Sequence, residues 1–320
     1  MPRVFLIDTD TASDDAIALA MAMRAADVRV AAISTVAGNV EVRQAANNAL
    51  YVAELCGVSI PVYVGAAQPL RRPNAYAHWF HGSDGLGDHG YRPSKSSPEQ
   101  KGAIDAIIET AFSNPGLTLV CLGPLTNIAL ALGRRPELTS QVSRCVIMGG
   151  ALNGGNVTPA AEYNIWLDPD AAHIVLRSGL RIELVTLDLC LGDAIVNAHD
   201  IAQLNSLPGP FGSFAVTCSS RAREVQRERS GADGLSLADP LAMAIALDPS
   251  LVTRWSEHYV EVETESELTR GETVVDRRDI ARSEHIRQAW AQAIGGSKTK
   301  IGRTIDVKKW KQALLRSLSP

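Results

Sequence analysis

The chain has 320 residues, 46% hydrophobic and 21% charged, with a formal net charge of -4 and a pI near 6.0. That composition supports a sizeable globular core and carries no basic footprint for nucleic acid. No apolar run reaches the roughly 18 residues that a membrane helix needs. The apolar run at residues 4–7 ends at Asp8, too soon for a signal peptide. Five widely spaced cysteines without a C-x-x-C pair read as reduced thiols, so a cytoplasmic setting is expected.

In chain order, strand signals fall at residues 4–7, 28–34, 62–64, 117–122, 145–148 and 182–187. Helix signals alternate with them at 16–24, 40–56, 98–112, 124–132 and 169–177. A long loop over 65–97 holds the glycine-rich run HGSDGLGDHG. Helices over 211–229 and 236–247, strand-like pieces at 258–262 and 273–275, and a closing helix at 307–317 complete the pass. This alternation predicts a single α/β domain with a mainly parallel, Rossmann-like central sheet flanked by helices. Ligands of such sheets bind beyond the carboxyl ends of the strands.

Four polar segments fall there. Residues 7–15 read IDTDTASDD, with Asp8, Asp10, Asp14 and Asp15 packed around a strand end and a helix start. Helix capping, with Ser13 as N-cap and Asp14 and Asp15 at the positive end of the dipole, accounts for two carboxylates. A hard cation with oxygen ligands accounts for more. Neighbouring helix positions diverge by about 100°, so one of Asp14 and Asp15 can bind a metal while the other faces a substrate. The second segment, LVCLGPLTN over 119–127, ends a strand at Leu122, whose carbonyl points out of the sheet; taken alone it is an ordinary strand–turn–helix junction. The third, residues 153–168, gathers Asn156, Glu162 and Asn164 around two glycines, a set suited to a polyhydroxylated ligand. Asp168-Pro169 there reads as a helix start. Asn39, following Gly38, is similarly placed, or is a turn asparagine. In the fourth, Asp239-Pro240 opens an apolar helix, where an N-cap role is the local reading.

In order and spacing these segments resemble the inosine–uridine-preferring nucleoside hydrolase family. Its D-x-D-P-G-x-D-D-A, G-P-L-T-N, M-G-G with N and E-x-N, and late D-P motifs match Asp8 to Ala16, Gly123 to Asn127, Met148 to Gly150 with Asn156 and Glu162 to Asn164, and Asp239-Pro240. The resemblance implies Ca²⁺ held by Asp10, Asp15, the Leu122 carbonyl and Asp239. It implies a ribose gripped by Asp14, Asn39, Asn156, Glu162, Asn164 and Asp239, with Asp10 as general base toward the attacking water. It also implies a small-molecule nucleoside substrate and a homo-oligomer, dimer or tetramer. An N-riboside builds positive charge on the sugar as it breaks, which a carboxylate-rich pocket stabilises.

Two departures stand out. Thr11-Ala12 replaces Pro-Gly, and Ala238 replaces the histidine that many members place before the late aspartate to protonate the leaving base. Activation is then expected from the loops: Trp79 stacking on the base and His81 reaching it, or, on the blander reading, local packing and a surface histidine. The arginine-rich stretch 219–233 reads as a solvated helix face. Purine nucleosides are the expected preference, because they stack better and offer N7 for protonation; a pyrimidine preference is the alternative. Two rivals remain open: a haloacid-dehalogenase-like phosphatase with Asp8 as nucleophile and Asp10 as acid–base group, and a nucleoside-binding homologue without turnover.

Overall fold

The structure, a computed structural model, describes residues 2–290 and 298–320. Its centre is an eight-stranded sheet of β1 (Arg3–Thr9), β2 (Val28–Thr35), β3 (Val62–Val64), β4 (Leu117–Cys121), β5 (Val142–Met148), β6 (Ile182–Val185), β7 (Val252–His258) and β8 (Thr299–Ile305). The order across the sheet is β3-β2-β1-β4-β5-β6-β8-β7. All pairs are parallel except β8 with β7 at one edge. Helices cover both faces, so inner strands are buried on both sides and read as continuous apolar runs rather than alternating ones. One face packs under Ser13–Arg24, Pro210–Cys218, Ala238–Leu247 and Val307–Leu318; the other under Ala103–Ser113, Thr126–Arg134 and Pro169–Leu176.

β1 lies between β2 and β4, where the strand order reverses. The crevice beyond the carboxyl ends of β1 and β4 is therefore the expected binding position. Arg144 on β5 pairs with Glu183 on β6 and donates to the carbonyls of Ile245 and Ala246. It satisfies two orphan carbonyls at the end of helix Ala238–Leu247. The sheet thereby anchors that helix, which presents Asp239 at its other end.

Three expectations change. The sequence pattern predicts no strand where β8 lies. Its alternation is broken by Gly302, where an added Cβ would lie 2.6 Å from Leu189 Cδ1. The strand expected over 258–262 divides into β7, which joins the main sheet, and Val260–Val262, which pairs antiparallel with Thr273–Val275. The helix expected over 211–229 breaks at Ser219 into Pro210–Cys218 and Ser220–Ser230. Among the described residues no helix is long and apolar enough to cross a membrane.

Candidate active site

The end of β1 builds the floor of the site. Asp8 has no exposed surface: Ser34 and Asn127 donate to its Oδ1, while Oδ2 is buried without a partner. Burial pushes its carboxyl up to about 7 against those two hydrogen bonds. Asn127 also donates to the Thr35 carbonyl and accepts from Ala66 N–H, so it is a strut joining β1, β2 and the following loop. Asp10 sits between two glycines. A Cβ on Gly38 would fall 2.0 Å from its Oδ2, and one on Gly123 2.8 Å from its Oδ1. Asn39 N–H donates to Oδ2 at 2.6 Å. Oδ1 is buried without a partner.

Helix Ser13–Arg24 starts from Ala12 rather than from Ser13. Asp15, in its first turn, accepts from Ala12 N–H at 3.0 Å and from Thr9 Oγ1 at 2.5 Å. It thus caps the helix in the place the local reading gives to Ser13, and its side chain stays wholly buried. Asp14 diverges from it and lines the cavity. The N-cap reading of Asp239 does not hold: Leu237 is the cap residue, no side chain caps this helix, and Asp239 lies in the first turn with Oδ1 buried and unpartnered. Asp168, in contrast, is the helix cap that the sequence suggests, accepting from Ala171 N–H at 3.0 Å and from Thr126 and Leu70.

Packing of helix Ala238–Leu247 on Ser13–Arg24 brings Asp239 to the β1 end across more than 220 residues of chain. Asp14, Asp15 and Asp239 each place one carboxylate oxygen within 4.8 Å of the others, a group that could hold a metal ion. Burial first, and mutual repulsion second, drive the acids upward: Asp15 to about 7, Asp10 and Asp239 well above the usual carboxylate range. Unpartnered oxygens on Asp10, Asp14 and Asp239 are what a bound cation would satisfy, since a dication reverses this local logic. The donor set, all oxygen, suits a hard cation.

Above the floor lies a cavity of about 290 Å³. On one wall, Glu162 caps a short helix, Tyr163–Leu167, accepting from the backbone N–H groups of Asn164, Ile165 and Gly150. Burial pushes its carboxyl up to about 7. Asn164 donates from Nδ2 to the Leu122 carbonyl at 2.8 Å, fixing its direction and leaving one carbonyl lone pair free. Asn156 accepts from Tyr163 N–H at 2.9 Å. Asn39, Asn156, Glu162, Asn164, Leu122, Asp14 and Asp239 all line the cavity, whereas Asp10 and Asp15 lie beneath it.

The opposite wall comes from the loop after β3, through the short helix His78–His81. Trp79 is 45% exposed and lines the cavity. His81 is no surface histidine: it is 6% exposed, lines the cavity, and lies 2.7 Å through Nδ1 from Ser13 Oγ. Burial lowers its pKa, with Asp14 opposing. Helix Ser220–Ser230 contributes Gln226 and Arg229. Arg229 is exposed, as the solvated reading of this stretch expects, and its guanidinium also lies over Trp79, 4.6 Å from the ring centroid, at the cavity edge. Arg221 and Arg223 fit the solvated reading, pairing with Glu224 and Asp233. Gln226 was missed altogether: a lone glutamine in a charged helix gives no local signal.

The inosine-uridine preferring nucleoside hydrolase family model matches residues 5–312. A pyrimidine-specific ribonucleoside hydrolase of Shewanella is 38% identical over 283 residues, 88% of each chain. Among solved structures, a plant nucleoside hydrolase superposes with a TM-score of 0.92 at 32% identity, covering 100% of this chain and 99% of that one. A purine-preferring ribonucleoside hydrolase from Gardnerella vaginalis gives 0.88 at 29%, covering 99% and 98%. This kinship sets aside the phosphatase reading and favours hydrolysis over binding alone. The chain belongs to the inosine-uridine preferring nucleoside hydrolase family, enzymes that cleave the N-glycosidic bond of ribonucleosides.

Proposed function

We propose that this chain is a Ca²⁺-dependent ribonucleoside hydrolase whose ribose sits on the Asp14–Asp239 floor and whose base lies against Trp79. The observation that carries this reading is the set of buried, unpartnered carboxylate oxygens on Asp10, Asp14 and Asp239 beneath an amide-lined cavity. Asp10, Asp15, Asp239 and the Leu122 carbonyl would hold the cation, with Asp14 close enough to share it. When bound, Ca²⁺ compensates the clustered charge and polarises oxygen ligands.

The protein's own groups then divide the work. Asp10 accepts the proton of the attacking water through Oδ1, which no donor occupies. Asp14, Asn39, Asn156, Asn164 and Asp239 hold the ribose. Glu162 spends three acceptor positions on backbone N–H groups and keeps one for a sugar hydroxyl. The carboxylates stabilise the positive charge that grows on the sugar as the C–N bond breaks.

For the base, purine preference is the first reading, supported by the indole of Trp79 and by Phe80, Leu187 and Leu191 along the wall. Pyrimidine preference is the second, favoured by 38% identity to a pyrimidine-specific enzyme. Self-association is carried forward from the family resemblance and is checked by light scattering. A panel of ribonucleosides, with calcium and with chelator, read by chromatographic base release, tests the whole reading. No base from any ribonucleoside at saturating calcium would overturn it.

A further inference from the structure

His81 carries two ring nitrogens, and their surroundings differ. Nδ1 lies 2.7 Å from Ser13 Oγ and 4.0 Å from Asp14 Oδ1. Nε2 has no hydrogen-bond partner among the described residues, and the ring lines the cavity. Ser13 is 1% exposed, and among the described residues its hydroxyl has no other partner. These counts decide the direction of the Ser13–His81 bond. Were Nδ1–H the donor, the serine hydrogen would be buried without an acceptor, an arrangement that folded proteins avoid. With the serine O–H donating, Nδ1 accepts and the ring proton belongs on Nε2.

We propose that Ser13 is a positioning residue that locks His81 in its Nε2–H tautomer, so that His81 presents a fixed hydrogen-bond donor to the nucleobase. This rests on reading the cavity as the nucleoside site. The matching ligand chemistry is an acceptor on the base, a ring imine nitrogen or a carbonyl oxygen, on which electron density accumulates as the C–N bond breaks. A donor aimed at that atom stabilises the departing base most in the transition state. The proton stays on Nε2 throughout, so no transfer step is required. With alanine at 238, this donor stands on the base side of a site whose floor is all acceptor. The lock joins two elements side chain to side chain: Ser13 opens helix Ser13–Arg24, and His81 ends the short helix that carries Trp79.

Long-range ¹H–¹⁵N spectra of histidine-labelled, calcium-supplied protein read the tautomer directly, with His81→Gln assigning the signal. The wild type should show Nε2–H, and Ser13→Ala a mixture of tautomers. In parallel, kcat/KM is measured on inosine, uridine and p-nitrophenyl riboside, whose leaving group needs no such help. Ser13→Ala should lose about tenfold on the two nucleosides and change by less than about twofold on the nitrophenyl substrate. Ser13→Thr, which restores a hydroxyl, should recover both the tautomer and the rate. An Nδ1–H signal in the wild type, or equal loss on all three substrates, would overturn the proposal. A wild type that releases no base would instead sink the nucleoside reading and the base contact with it, while the spectra still decide the tautomer.

Discussion

Calcium binding should be strongly coupled to protons. Burial, with repulsion from Asp14, pushes Asp15 up to about 7 from an ordinary 3.8. Asp10 and Asp239 move the same way. In the cation-free protein these acids hold protons that the unfolded chain releases near pH 4. The folded state therefore binds more protons between about pH 4 and 7, and its stability falls as pH rises through that window. Calcium needs the carboxylates ionised, so it must displace those protons, and its apparent affinity should rise roughly tenfold per pH unit for each one displaced. Titration calorimetry at pH 6 in two buffers of different ionisation enthalpy should show at least one proton released per calcium. At about 100 times Kd the ion adds about 2.7 kcal/mol of stability. Because Kd tightens with pH, a fixed calcium concentration should raise Tm more at pH 8 than at pH 5.5. Equal Kd at the two pH values, with no proton release, would refute the claim that the cluster is protonated until a cation arrives.

Asp10→Asn should cost about three orders of magnitude in kcat at saturating calcium, because the proposed base is lost while its volume is kept; wild-type turnover in that variant removes Asp10 from the mechanism. Asn164→Ala frees the Leu122 carbonyl as well as a sugar contact, so calcium affinity should weaken about tenfold or more alongside activity; calorimetry on the variant separates this from a loss in sugar contact alone. Inosine, adenosine or guanosine should exceed uridine and cytidine by one to two decades in kcat/KM, about 1.4–2.7 kcal/mol, and Trp79→Ala should narrow the gap. A uridine preference in the wild type would contradict the stacking argument and turn attention to Gln226 and Arg229.

The parallel strands and the residues at their carboxyl ends were legible because both signals are local. An inner strand covered on two faces is an apolar run, as at Phe5–Ile7, and polar residues directly after it announce the site. Asp10, Asn39 and Leu122 lie within a few residues of a strand end, and the Asn156–Asn164 group lies on the loop and short helix that follow β5. β8 was not legible, because Gly302 and its charged neighbours resemble a loop until Leu189 and Trp255 are packed against them. The local pattern could not decide what Asp239 does, and only the family motif points to the site: Asp-Pro at a helix start reads as an N-cap, and it is the packing of Ala238–Leu247 on Ser13–Arg24 that turns the carboxylate onto Asp15. The base wall is a mixed case. Trp79 and His81 could be named from their loop, but nothing local shows that Gln226 and Arg229 join them, or that Ser13 meets His81 across 68 residues. Local propensity and burial pattern act over a few residues and are written in the chain. Which side chains converge on one cavity depends on how whole helices dock, and that is decided by the summed packing of the core.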